Sequence, residues 1–315
     1  MTSGSTPTSP RGATAVQVAA QAKINLRLRI LARETSGYHQ LETLFLRIDL
    51  ADIVRVRRTS GACSLDVVGN VDPALIGPVD KNLAWRAAES YFAASGMRGG
   101  FAIELEKRIP IGGGLGGGSA DAGAVLRALS AMDDEPMDSS LLLDLAARLG
   151  ADVPFLATEH AYALAWGRGE RMLALTPPPA RDLMLAVPSF SVNTAAAFGW
   201  LADPATPMSG QRPAESFAFH PQQLSDWDAL RALVGNDFEP AVQWHHPELR
   251  ELGEYLRWLG SPIVAMSGSG STLFAIWTST SPRTPPAGLT LEVPAGVQFV
   301  HTRTAARVEQ VSAIE

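Results

Sequence analysis

The chain predicts an α+β fold in two lobes, on three observations. Strand-like and helix-like patterns are interspersed along the whole length instead of falling into separate blocks. Residues up to about 175 carry four strand patterns and three helical ones. Three consecutive prolines, Pro177, Pro178 and Pro179, then interrupt the pattern and place the lobe boundary near residue 176. The expected units are therefore 16–175 and 176–315, preceded by a loose tail over 1–15 that is small, polar and proline-bearing.

The first strand rests on alternation. Ile24, Leu26, Leu28 and Ile30 interleave with Lys23, Asn25, Arg27 and Arg29, the period of two that puts one face of a strand in a core. Leu44–Leu50, Ile53–Arg57 and Phe101–Glu106 read the same way. Apolar residues recurring every three or four predict helices over Leu83–Ala94, Ser119–Ala131 and Leu141–Leu149, the last closed by Gly150 in a left-handed conformation. Beyond residue 176 the pattern gives a helix near Glu248–Leu259 and strands near Ile263–Ala265 and Leu273–Trp277. Asp203–Gln223, rich in proline, glycine and serine, predicts a loop.

Composition excludes several function classes. Among 315 residues, 46% are hydrophobic and 18% charged, an ordinary soluble balance, and the net charge of −6 offers no basic face to a nucleic acid. No apolar run approaches the ~20 residues that span a bilayer. The lone Cys63 excludes a disulfide framework and a multi-cysteine zinc site, and fits a reducing cytoplasm. The six histidines lack metal-ligand spacing, so no tightly bound structural metal is expected. Nothing in the chain predicts a protein partner.

The sharpest motif runs Pro110-Ile111-Gly112-Gly113-Gly114-Leu115-Gly116-Gly117-Gly118-Ser119-Ala120. Glycine is favoured where a backbone takes positive φ or must approach a ligand closely. A helix starting near Ser119 points its free N–H groups and positive dipole end back at that loop, which makes an anion site suited to phosphate. Ser119 can cap the helix, or offer its hydroxyl to phosphate or Mg²⁺. Dinucleotide binding fits less well, because the acidic residue due about 20 positions on falls in Met132-Asp133-Asp134-Glu135-Pro136, which reads as a loop. A Walker A loop requires a lysine that is absent before Ser119. What remains is a phosphate cradle of a third kind.

This loop resembles the ATP loop of the GHMP kinase superfamily (galactose, homoserine, mevalonate and phosphomevalonate kinases). Ala22-Lys23-Ile24-Asn25-Leu26, Gly37-Tyr38-His39 and Gly150-Ala151-Asp152-Val153-Pro154 are similar to the branch acting on a cytidine diphosphate-linked methylerythritol. Ser267-Gly268-Ser269-Gly270-Ser271 is similar to the third superfamily motif, a second glycine-rich turn closing the active site. The resemblance implies a two-lobed kinase with its active site in the cleft between an ATP-binding lobe and a C-terminal lobe. It also implies ATP with Mg²⁺ bridging the phosphates, and transfer to the 2-hydroxyl to give the 2-phosphate, in the non-mevalonate route to isoprenoid precursors. The chain departs from the pattern in its serine-rich third motif, in Ser36 where aspartate is common, and in Ala120-Asp121 after Ser119.

Phosphoryl transfer needs positioning, charge neutralisation and a group to take the hydroxyl proton. Asp152 follows a predicted helix in a short loop, where a carboxylate can face a cleft or simply shape the turn before Val153-Pro154. Lys23 stands on a largely apolar strand, either as an edge lysine with its ammonium in water or beside Asp152, supporting the carboxylate and orienting the alcohol. Lys23 and Asn25 lie two apart and share a strand face, which permits a shared polar site. The resemblance makes Lys23 and Asp152 the catalytic pair and sets Asn82 near the ATP base. It assigns cytosine recognition to Tyr38, His39 and Phe198, since aromatic faces stack a base for ~1–3 kcal/mol.

Overall fold

The computed structural model describes residues 10–33, 39–69, 71–72, 75–203, 206, 220–277 and 296–314. Two long antiparallel strands, β1 (Ala15–Arg33) and β2 (His39–Thr59), form the spine of the molecule, with Lys23 opposite Arg47 and Asn25 opposite Phe45. β2 is continuous where the sequence predicts two strands. The interruption at Ala51-Asp52 is a buried carboxylate: Asp52 accepts the backbone N–H groups of Arg108 and Ile109, the latter at 2.8 Å, and pairs with Lys107. β4 (Gly100–Glu106) continues the sheet from β2, and β3 (Ser64–Val68) lies parallel beside it. β5 (Tyr162–Gly167) pairs with the first half of β2 and then with β6 (Arg171–Ala174).

The alternation on β1 has an unexpected outcome. Ile24 and Leu26 are buried as predicted, but Lys23, Asn25 and Arg27 are buried as well. β1 is an interior strand, flanked by β2 on one side and by β8 (Gly235–Asn236) and β12 (Ser312–Ala313) on the other, so its polar face lines a cleft instead of meeting bulk water. The edge-lysine alternative for Lys23 is thereby removed.

Helices α1 (Leu83–Ser95), α2 (Gly117–Met132), α3 (Ser139–Leu149) and α4 (Val153–Ala157) pack together with this sheet in the main core. The first three match their predicted spans within two residues. α2 is buried nearly all round from Ala120 to Leu129, as expected of a helix with small and apolar residues on every side. Gly150 is not left-handed: its φ of 167° and ψ of 161° are extended. The chain leaves α3 straight into the Asp152 turn, so no reversal is needed there. Part of the expected tail belongs to the fold, since the Thr14 carbonyl accepts Arg58 N–H and Ala15 opens β1.

The second sheet runs β11 (Gln298–Arg303), β7 (Asp182–Val187), β10 (Leu273–Ile276), β9 (Ile263–Met266), all antiparallel. One of its faces carries α5 (Thr194–Ala202), α7 (Glu239–His245) and α8 (Glu248–Trp258) around Phe238, Val242, Leu252 and Leu256. Leu183, Leu185, Phe274 and Ile276 on the other face join the main core, as do Trp227 and Leu230 of α6 (Trp227–Leu233). The predicted loop Asp203–Gln223 lies largely outside the described residues. Among those described, no helix is long and apolar enough to cross a membrane.

Candidate active site

A cleft of about 610 Å³ lies between β1, the glycine loop and the β9–β10 turn. The loop from Pro110 to Gly116 takes positive φ at Gly112, Gly114 and Gly116, which L side chains rarely adopt. α2 starts at Gly117, two residues earlier than predicted, with Gly116 at its N-cap and no side-chain cap bond. Ser119 therefore sits inside the first turn and does not cap it, and Ala120 N–H makes the first intrahelical bond, to Gly116. The amides of Gly117, Gly118 and Ser119 have no intrahelical acceptor and stand at the positive end of the helix dipole. Pro110, Ile111, Leu115 and Ser119 line the cleft with the six glycines, while Ala120 is buried behind them.

Lys23 and Asp152 meet at 3.2 Å across this cleft. The Lys23 side chain is 2% exposed and that of Asp152 31%, so the lysine is embedded and the carboxylate faces the opening. The Lys23 Nζ also donates to Asn25 Oδ1 at 2.7 Å and to the Gly114 carbonyl at 3.1 Å. Three acceptors match the three N–H groups of an ammonium, the condition under which a buried lysine is tolerated. Asn25 in turn donates to Thr43 Oγ1 at 2.8 Å, so its amide is committed largely to aiming the lysine.

The β9–β10 turn closes the site from the second lobe. Ser267 Oγ donates to the Gly114 carbonyl at 3.0 Å, and Thr272 N–H donates to Gly113. Asn236, a residue the sequence did not single out, donates through Nδ2 at 2.7 Å to both Met266 and Gly268. Because β8 pairs with β1, this one amide ties the turn to the lysine strand. The glycine loop, Lys23 and the third motif thus converge on a single carbonyl, that of Gly114.

Of the residues predicted to read cytosine, His39 and Phe198 stack face to face at 4.3 Å and 13°, and Phe198 meets Phe238 edge-on at 4.8 Å. The stacked rings leave no gap between them, so a base would use an outer face of the pair. Tyr38 lies outside the described residues. Asn82 borders the far end of the cleft and caps α1, its Oδ1 accepting Ala84 N–H at 2.9 Å.

A buried ionic cluster beside the cradle gave no sequence signal, because its members are far apart in the chain. Lys107 pairs with Asp52 and, at 2.7 Å, with Asp121 on α2. Burial pushes the Asp121 carboxyl up, from 3.8 to about 8, against the pull of Lys107. Burial alone would lower the Lys107 ammonium, but the two carboxylates outweigh it and raise it. Asp52 holds two backbone N–H bonds while Asp121 Oδ1 has no partner, so Asp121 takes the proton. A carboxyl whose folded pKa exceeds its unfolded value makes the folded state bind the extra proton, so it lowers stability as pH rises from about 4 towards 8. Asp121→Asn should remove that slope: between about pH 5 and 8.5 the melting temperature of the parent protein should fall relative to the variant. Parallel curves would mean that Asp121 is already ionised at the acid end.

The loop, the helix N-terminus behind it and the second glycine-rich turn define the GHMP kinase class, and residues 82–160 match the family described as "GHMP kinases N terminal domain". The fold superposes on a crystal structure of 4-(cytidine 5'-diphospho)-2C-methyl-D-erythritol kinase with a TM-score of 0.70 and 33% identity, over 92% of this chain and 99% of that one. Homoserine kinase from Cytophaga hutchinsonii shares the fold at 17% identity (TM-score 0.67, 96% and 98% covered). In sequence, the chain is 39% identical over 258 residues to the 4-diphosphocytidyl-2-C-methyl-D-erythritol kinase of Pelotomaculum thermopropionicum, covering 82% of this chain and 87% of the relative. It is 38% identical over 265 residues to that of Parvibaculum lavamentivorans, covering 84% and 89%. The chain belongs to the 4-diphosphocytidyl-2-C-methyl-D-erythritol kinase family.

Proposed function

We propose that the protein phosphorylates the 2-hydroxyl of 4-diphosphocytidyl-2-C-methyl-D-erythritol at the expense of ATP, giving the 2-phosphate, in the cytoplasmic non-mevalonate route to isoprenoid precursors. The observation that carries this is the Lys23–Asp152 pair at 3.2 Å, set at the mouth of the glycine loop. When bound, ATP supplies the phosphoryl group, and the chain's task is to hold, orient and deprotonate.

Asp152 is the proton acceptor. As the acceptor oxygen forms its bond to phosphorus and the bond to the ADP oxygen breaks, the hydroxyl proton passes to the Asp152 carboxylate. Lys23 holds that carboxylate in place and puts a positive charge where negative charge gathers on the transferring group. Asn25 aims Lys23 and keeps one amide hydrogen for the substrate. The amides of Gly117, Gly118 and Ser119 receive phosphate oxygens, with Pro110 to Leu115 wrapping the chain around them and Asn82 near the adenine. Tyr38, His39 and Phe198 recognise the cytosine.

Mg²⁺ fits as an ion carried in on the triphosphate. Among the described residues no group of three His, Cys, Asp or Glu is placed to hold a metal, and Mg²⁺ commonly takes most of its ligands from phosphates and water. The Ser119 hydroxyl, in the first turn of α2, is the side chain that would meet it.

ADP release from Mg·ATP by the purified protein, with the cytidine substrate, homoserine or mevalonate as acceptor, tests the proposal. Turnover is expected with the cytidine substrate alone. Turnover with another acceptor would discard the cytosine pocket, and none at all would discard the kinase.

A further inference from the structure

The largest fully buried side chain among the described residues is Arg47, which stands opposite Lys23 in the β1–β2 ladder. It makes no ion pair with any described residue. Its guanidinium is spent on backbone: Nη2 reaches the carbonyls of Phe155 at 3.1 Å, Leu156 at 3.0 Å and Thr158 at 2.9 Å, and Nε reaches that of His160 at 3.0 Å. Phe155 and Leu156 lie in the last turn of α4, Thr158 is its C-cap and His160 lies just beyond, so the charge stands at the helix C-terminus, where it is favourable. The guanidinium also lies over the Phe155 ring, 5.1 Å from its centroid.

α4 is five residues long and its N-cap is Asp152. At ~1.5 Å of rise per residue, the clamp and the proposed base sit about 8 Å apart on one short rigid rod. Two further contacts hold that rod. Phe155 stacks on Phe45 at 5.0 Å and 15°. Gly123 of α2 approaches so closely that a Cβ there would fall 2.4 Å from Leu156 backbone atoms. A helix this short has little cooperativity of its own, so its position follows from what grips it.

We infer that Arg47 is a positioning residue for the phosphoryl-transfer step: by gripping the C-terminal carbonyls of α4 it fixes where Asp152 stands relative to Lys23. The inference rests on Asp152 being the base. One strand pair then sets both members of the site, β1 carrying Lys23 directly and β2 carrying Asp152 through Arg47 and α4. A charge is required in this role because an apolar residue of equal size would take the donor from the Leu156, Thr158 and His160 carbonyls, and lysine lacks the fork that reaches several at once.

The test is a double-mutant cycle on the full chain. Arg47→Gln is expected to lower kcat about 10- to 100-fold, the order that displacement of a reacting group by about 1 Å causes, with KM for ATP and acceptor within about twofold. Arg47→Lys should fall between, and serves as the variant to measure if the glutamine form does not fold. In an Asp152→Asn background the Arg47 substitution should change kcat by less than about twofold, because the group it positions is gone. A normal kcat per folded molecule in the Arg47 variants, with only a lower melting temperature, would overturn the inference and leave Arg47 purely structural. So would losses that multiply in the double mutant. Near-normal kcat in Asp152→Asn alone would instead overturn the proposed base, and this inference with it.

Discussion

Asp152→Asn is expected to lower kcat by about 10²- to 10⁴-fold, the usual contribution of a positioned general base. The substitution keeps the shape of the side chain and an acceptor oxygen for Lys23, whose ammonium retains Asn25 Oδ1 and the Gly114 carbonyl. The folded state should therefore survive, since a lysine with two acceptors left is not an unpaired buried charge. The expected loss corresponds to roughly 3–5 kcal/mol of barrier. KM for ATP should hardly change, because the amides of Gly117 to Ser119 owe nothing to that carboxylate. Steady-state kinetics beside a melting curve separate the two effects. A near-normal kcat would remove Asp152 from the chemistry.

Gly114→Ala should damage fold and catalysis together. Gly114 has a φ of 77°, where an L residue pays about 1–2 kcal/mol. The added Cβ would also fall 2.1 Å from the Ser267 carbonyl oxygen, a backbone atom that no rotamer change can clear. Either the glycine loop or the β9–β10 turn has to move by more than an ångström. The atom that moves with Gly114 is the carbonyl shared by Lys23 and Ser267. A melting temperature lowered by several degrees is expected, with kcat down about 100-fold on the scale of a 1 Å misplacement. An unchanged melting temperature and kcat would mean that the two glycine-rich turns do not meet in this way. The equivalent change at Gly61, which lies outside the cleft and where a Cβ would meet nothing within 4 Å, is the control for glycine loss as such.

Four helices and the phosphate loop were legible in the sequence because each is a local pattern, while the short α4, α5, α6 and α7 were not. α1, α2, α3 and α8 carry their apolar spacing and their start signals within a few residues. β1 was legible as a strand but not as a buried one. By pattern alone, Lys23 and Asn25 could face either water or a shared polar site, and only the packing of distant segments against β1 makes that face part of a cleft. β5 and β7 were missed because they are short and largely buried, with no alternating stripe, and β6 and β11 because they are short edge strands with little buried surface. The grip of Arg47 on α4, the Lys107 cluster and the Asn236 tie were equally hidden. Each joins residues more than 10 positions apart, and most join residues 30 to 110 apart. Asp152 shows the converse: a turn carboxylate by local pattern, it owes its place in the cleft to a pairing with a residue 129 positions away, Lys23.

The pairing of β1 bears on how the molecule comes to be made. Val16 and Gln17 pair with Ala313 and Ser312, and Arg27 and Leu28 with Gly235 and Asn236. A nascent chain leaves the ribosome N-terminus first, so the strand that bears Lys23 waits for partners synthesised more than two hundred residues later. At about 5–20 residues per second that wait is tens of seconds. Throughout it, one edge of β1 stays open to any other strand, and such edges invite pairing between chains. Contacts of this sequence separation also slow the final closure, because the loop entropy must be met before the pairing rewards it. The same connectivity that brings three motifs to the Gly114 carbonyl makes their meeting a late event in the life of the polypeptide.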